Sequence, residues 1–193
     1  MPRQDQREHR RAELMPAIAA TFAKHGYRRT TTAMLAAASC AQETILYRLW
    51  PDKRRMFIAA IDYVVVHSQA IWQRTLGVHD TAKSSAEAVL DYEADHLGEF
   101  GLYRILFAGL SETDDAEIKA ALRAAYARFQ TFLCQRVAEH RAAQGLSGLP
   151  NAELVAWALL GLGTVVNVGR ELDLLDAKER ARLLRTVGRQ LLG

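Results

Sequence analysis

Apolar side chains recur at helical spacing along almost the whole 193-residue chain, and no stretch alternates them with the period of two that a strand needs. Leu14, Ile18 and Phe22 share one face of a first helix over about Gln6–Lys24. Pro16 should kink that helix or loosen its first turns, and His25-Gly26 should end it. The hydroxyls of Thr30, Thr31 and Thr32 can cap a short second helix through Met34, Leu35 and Ala38. Ser39-Cys40-Ala41 reads as a turn, Gln42–Leu49 as a third helix, and Pro51-Asp52 as the opening of a long fourth helix to about Leu76. Further helices are expected over about Ala82–Glu99, Leu102–Ser111, Ala116–Gln144, Ala152–Leu172 and Ala177–Leu191. Gly145–Pro150 is the clearest loop, Asn151 is a cap, and Asp176 with Glu179 forms a capping box. The expected architecture is all-α, with nine helices.

With 50% of its residues apolar, the chain can bury enough surface to offset its ordering entropy, which excludes disorder as its dominant state. Its length suits one domain or two small ones. Cys40 and Cys134 are too far apart to form a zinc knuckle and too few for a disulfide framework, so a reducing, cytoplasmic setting is expected. The first residues have no apolar stretch behind them to make a secretory signal. The longest uncharged run, Leu154–Gly169, has 16 residues, short of the roughly 18 that suggest a membrane span. No membrane partner is expected. The net charge of +3 is unevenly spread: residues 1–55 hold eleven basic and five acidic side chains, giving +6 there and −3 beyond. A basic end on a mildly acidic body fits a polyanion-binding module, most simply one for nucleic acid; on charge alone a solvated face explains it equally well.

Two short helices joined by a tight turn inside the basic segment suggest a helix-turn-helix. Leu35, Ala36 and Leu46 can lock the pair, and the small residues Ala37, Ala38 and Ser39 allow close approach. Gln42, Glu43 and Thr44 lie at the exposed start of the second helix, where side chains can reach base edges in a major groove. Glu43 suits such a face if it accepts from a cytosine amino group; otherwise it should point away. Tyr47, Arg48, Lys53, Arg54 and Arg55 follow at spacings suited to phosphates. Lys53 opposes the dipole of its own helix, a cost that favours a functional contact over a chance charge. Trp50 is expected to anchor the third helix against the first.

Phe22-Ala-Lys-His-Gly26-Tyr27-Arg-Arg-Thr30-Thr31, then Leu35-Ala36, then Leu46-Tyr47-Arg48-Leu49-Trp50-Pro51-Asp52-Lys53 resembles the DNA-binding domain of the TetR family. Every anchor stands at family spacing; the rest of the chain resembles the family only in helix number and order. The resemblance implies that Thr31 and the Tyr47 hydroxyl meet phosphates. Cys40 replaces the family's turn glycine and Gln42 its serine. A slide by one place is also open, and it shifts the register of Gln42, Glu43 and Thr44. Ala33 stands where many relatives carry a longer polar side chain.

The resemblance further implies a homodimeric regulator, a repressor, with a DNA-binding domain over residues 1–50 and an effector-binding and dimerisation domain over 51–193. Its partners would be a double-stranded, pseudo-palindromic operator and a small-molecule effector. Effector binding would swing the fourth helix, and the recognition helices would lose the spacing of about 34 Å between successive grooves. Gln69, Trp72, Tyr92, His96, Phe100, Tyr103, Phe107 and Phe129 are candidates for the effector pocket, with a neutral or weakly polar, aromatic-sized ligand expected. Leu160, Gly161, Thr164, Val168, Leu184 and Val187, on the last two helices, are candidates for the dimer interface. Glu93-x-x-His96 has the spacing of a di-iron half-site, but no second copy exists, so neither a metal, a cofactor nor catalysis is expected. A constitutive DNA-binding protein without effector is the alternative, and a helical metal enzyme a remote one.

Overall fold

A computed structural model describes residues 3–78, 83–148 and 150–193. The described residues form nine α-helices and no strand: α1 (Arg3–Arg29), α2 (Thr32–Ala38), α3 (Glu43–Leu49), α4 (Lys53–Val78), α5 (Ser85–His96), α6 (Tyr103–Leu110), α7 (Ala116–Gln144), α8 (Ala152–Glu171) and α9 (Ala177–Leu192). The all-α, nine-helix expectation holds, with most ends within three residues of those predicted. The expected fifth helix began at Ala82, which lies outside the described residues, as does Leu149 of the expected loop.

Local chemistry sets most of these ends. Thr31 accepts from the amide of Met34 to cap α2, and Asn151 accepts from Glu153 to cap α8. Ser84 with Glu87 and Asp176 with Glu179 close reciprocal capping boxes on α5 and α9. In α1 the break falls at Gly26, whose φ of 71° is open to glycine at no steric cost. Pro16 stays within the helix. It and Ala12, whose carbonyl it deprives of a donor, are both exposed, so water can take that bond.

The chain divides into two compact units. The first holds residues 1–67 and 100–125, the second 68–99 and 126–193. In the first, α1 packs on α2 and α6, and α2 on α3. Ile18, Phe22, Leu35, Leu46, Phe57, Ile105 and Ile118 are almost wholly buried there. Phe22 and Phe57 meet edge to face at 5.0 Å. Trp50 is buried, as expected, with the Arg11 guanidinium 5.7 Å from its ring.

In the second unit α9 packs on α5 and α8. One apolar cluster gathers Ala86, Leu90, Val137, Val155 and Leu192; another gathers Ala94, Val166 and Leu184. A Cβ on Gly188 would stand 2.5 Å from a Leu90 methyl, so the missing side chain is what lets α9 approach α5. Buried Arg141 donates to the carbonyls of Pro150, Leu191 and Leu192, tying the α8 entrance to the end of α9. Among the described residues α8 alone is long and apolar enough to cross a membrane by length and composition. One of its sides nevertheless buries Val155, Ala156 and Val166 in the unit core.

Candidate nucleic-acid interface

The turn between α2 and α3 is built on Cys40, whose φ of 50° is the left-handed conformation usual for glycine. That places Cys40 at the turn-glycine position of the ungapped register, with Gln42 as the residue ahead of α3. Gln42, Glu43 and Thr44 are all exposed there, and the Thr44 hydroxyl lies 3.5 Å from Gln42 Oε1. Thr31 is exposed but already caps α2. Tyr47 is 49% exposed, and its hydroxyl donates to Thr32 Oγ1 at 3.1 Å. The Arg48 side chain is exposed.

Two arginines of α1 fix the far end of α3. Arg7 donates to the Arg48 carbonyl at 2.8 Å, and Arg11 donates through Nε and Nη2 to the Leu49 carbonyl. These carbonyls form the negative end of the helix dipole, where cations stabilise. The sequence reading counted Arg7 and Arg11 only as charge; nothing in their spacing announces contacts across 38 and 41 residues.

Lys53 sits elsewhere than its helix-start position suggested. Its ammonium donates to the carbonyls of Tyr27 and Thr30 at 3.1 and 3.0 Å and lies 4.5 Å from the Tyr27 ring centre. The carbonyl end of α1, rather than a free approach to phosphate, offsets the unfavourable dipole of α4. Arg54 and Arg55 are also engaged: Arg54 pairs with Asp115 at 3.3 Å and Glu117 at 3.4 Å, Arg55 with Glu117 at 2.9 Å. Arg28 pairs with Glu112 at 2.8 Å, which raises the guanidinium pKa. Asp115 is held below its ordinary value by the Ile118 amide and then by Arg54. Burial, followed by the charges of Asp115 and Asp52, raises the Tyr27 phenol.

The eight pocket candidates fall into two groups, one in each unit. In the first unit Phe100 is exposed and edge-on to His67 at 5.4 Å, and Tyr103 meets Phe107 edge to face at 5.6 Å. In the second, Gln69 accepts from Arg128, buried Trp72 donates to Glu93, and Phe129 meets the Trp72 ring at 5.7 Å. Tyr92 and His96 stack at 4.3 Å. A cleft of about 230 Å³ in this unit takes in His96 with Leu97, Val166, Arg170, Arg180 and Leu184, and none of the other candidates. Glu93 and His96 are turned to separate neighbours, and no group of three metal-ligating side chains gathers among the described residues.

Of the interface candidates, Val168 is exposed, Gly161 has open space where a Cβ would stand, and Leu160, Thr164 and Val187 are half-buried. Leu184 is only 4% exposed, packed with Ala94 and Val166 in its own unit, and so turned away from any second chain. The sequence reading missed exposed Leu154, Trp157, Val165 and Leu172, which extend the α8 stripe.

Residues 14–60 match the sequence profile of the bacterial regulatory proteins, tetR family. The chain is similar to the nucleoid occlusion factor SlmA of Edwardsiella ictaluri, with 30% identity over 111 residues, 57% of this chain and 49% of that protein. The match thus spans about half the length of that relative. Similarity to SlmA of Photobacterium profundum is 24% over 81% of each chain. The fold is shared with a TetR-family transcriptional regulator from Cytophaga hutchinsonii, at a TM-score of 0.78 and 14% identity, covering 97% of this chain and 94% of that one. Anchor spacing, the left-handed turn and the matched profile converge on the same residues: positions 14–60 carry the segment that the bacterial regulatory proteins of the tetR family share.

Proposed function

We propose that the chain is a ligand-responsive repressor that binds a pseudo-palindromic operator as a homodimer. The observation that carries this reading is the start of α3, where Gln42, Glu43 and Thr44 stand exposed on a helix whose far end is braced by Arg7 and Arg11. Gln42 and Thr44 would read bases; Thr31, Tyr47 and Arg48 would meet phosphates. Lys53 would brace α1 instead. The apolar stripe on α8 would pair with its copy in a second chain, setting two recognition helices about 34 Å apart. Operator selection from random DNA tests the reading. A palindromic consensus is expected, and Gln42→Ala should relax one base step per half-site at a cost of roughly 1–3 kcal/mol. An unchanged consensus in that variant removes Gln42 from the bases.

A second reading has one observation in its favour: the relatives matched in sequence are named nucleoid occlusion factors, not effector-controlled repressors. Under it the chain binds DNA constitutively. Thermal shift and operator release across a panel of small molecules separate the two, since a constitutive binder responds to none.

A further inference from the structure

The cleft of about 230 Å³ in the second unit lies where three helices meet: the end of α5 with the turn after it, the last turns of α8 and the first turns of α9. Its floor is apolar, made by Ala94, Val166 and Leu184, which cluster in the unit core. Val166 and Arg170 give α8 its side of the cleft. Val168 and Leu172, each two residues further and so about 200° round the helix, stand on the exposed stripe instead. A second chain docked on that stripe therefore leaves the cleft open.

Arg170 and Arg180 line the cleft, both half-buried. Each spends one N–H group on a backbone carbonyl: Arg170 Nη1 donates to Leu97 at 3.0 Å, and Arg180 Nη1 to Leu175 at 2.7 Å. These bonds hold the guanidinium planes in place. Among the described residues no acid pairs with either group, and Nε and Nη2 of both have no acceptor. That free edge is the fork that takes a carboxylate through two parallel hydrogen bonds. The other arginines at the α5–α9 contact are matched: Arg189 lies 3.0 Å from Asp91, and Arg185 2.5 Å from Asp95. Asp95 also lines the cleft, but Arg185 takes its charge. Glu99, exposed, is the remaining acid of the lining. Arg170 and Arg180 against Glu99 leave one positive charge in excess, which a monoanion balances and a phosphate dianion overshoots.

We propose that this cleft binds a small organic monocarboxylate, its head held by Arg170 and Arg180 and its apolar body laid against Val166 and Leu184. Preformed donors over an apolar floor are what such a ligand needs. The site shares only His96 with the aromatic pocket expected from sequence. It stands whether the chain is effector-controlled or binds DNA constitutively.

Cyclohexanecarboxylate and cyclohexanecarboxamide share a shape and differ by one charge. Calorimetric titration of the full chain at low salt should give the carboxylate about tenfold tighter binding or more. Arg170→Gln and Arg180→Gln should each remove most of that preference. Arg182→Gln takes the same charge from an exposed position of α9 outside the cleft and should keep it. In the wild-type chain the His96 ring resonances should move as the carboxylate binds, because that imidazole lines the cleft. Equal affinity for the two probes, no carboxylate binding, or an unmoved His96 overturns the proposal. So does a preference kept in both cleft variants, or one lost to the same extent in Arg182→Gln. The titration and the His96 signal of the wild-type chain decide by themselves if a cleft variant does not fold.

Discussion

Lys53 spends its charge inside the protein: two of its three N–H groups go to the Tyr27 and Thr30 carbonyls. Lys53→Met should therefore act on folding first. It should cost roughly 1–2 kcal/mol, since charge-assisted bonds to a half-exposed group fall below the buried range. The slope of log K against log salt for operator binding should stay at its wild-type value, whereas a phosphate contact would lower it by about one per half-site. Glu93 makes the opposite case, a charge whose burial is unfavourable. Its folded-state pKa is raised, so at low pH both folded and unfolded chains hold the proton and the residue costs nothing. As pH rises through the raised value, the folded state must ionise a desolvated carboxyl, and stability is lost. Glu93→Gln should raise the melting temperature at neutral pH, and the gain should vanish below the ordinary carboxylate range. A gain that persists in acid would point to packing instead.

At the scale of the helices, the proposed dimer rests on the stripe on α8. Leu154, Trp157, Val165, Val168 and Leu172 leave an apolar face exposed on one chain. Trp157→Glu should shift sedimentation from dimer to monomer while preserving helix content, because Trp157 is already 48% exposed in the single chain. A dimer of wild-type stability would move the interface off α8. Helix positions were legible in the sequence because caps are local: Asp176 with Glu179 and Asn151 announce their helices within three residues. Which stripe of a helix faces its own core was not legible. Leu184 and Val168 both belong to apolar stripes at helical spacing, yet Leu184 packs on Ala94 and Val166 while Val168 stays exposed. Periodicity shows which side chains share a face and leaves open what that face meets. The braces from Arg7 and Arg11 were hidden for a related reason, since they join segments about forty residues apart.

Across the first unit, charge counted from sequence overstates what DNA would encounter. Residues 1–55 carry +6, but Arg28, Arg54 and Arg55 are paired with Glu112, Asp115 and Glu117 from beyond that segment. Each pair is a solvent-screened surface contact, so together they matter more for the field around the domain than for folding. Replacing the three acids together by Glu112→Gln, Asp115→Asn and Glu117→Gln should free three guanidinium groups. Non-specific DNA affinity should then rise at low salt, with a steeper salt dependence. Unchanged non-specific binding would mean that these arginines lie outside the DNA-facing field. The candidate surface was thus legible in its motif, and its effective charge only in three dimensions.

The turn at Cys40 also bears on how the domain can change over generations. A side chain held in the left-handed region costs roughly 1–2 kcal/mol, of which glycine would return part after its own greater loss of backbone freedom. Cysteine and glycine codons differ by a single base, so this reserve of stability lies one point mutation away. A destabilising change on the exposed face of α3 could be accommodated by that one step at the neighbouring turn, which leaves this helix room to vary its surface before the fold fails.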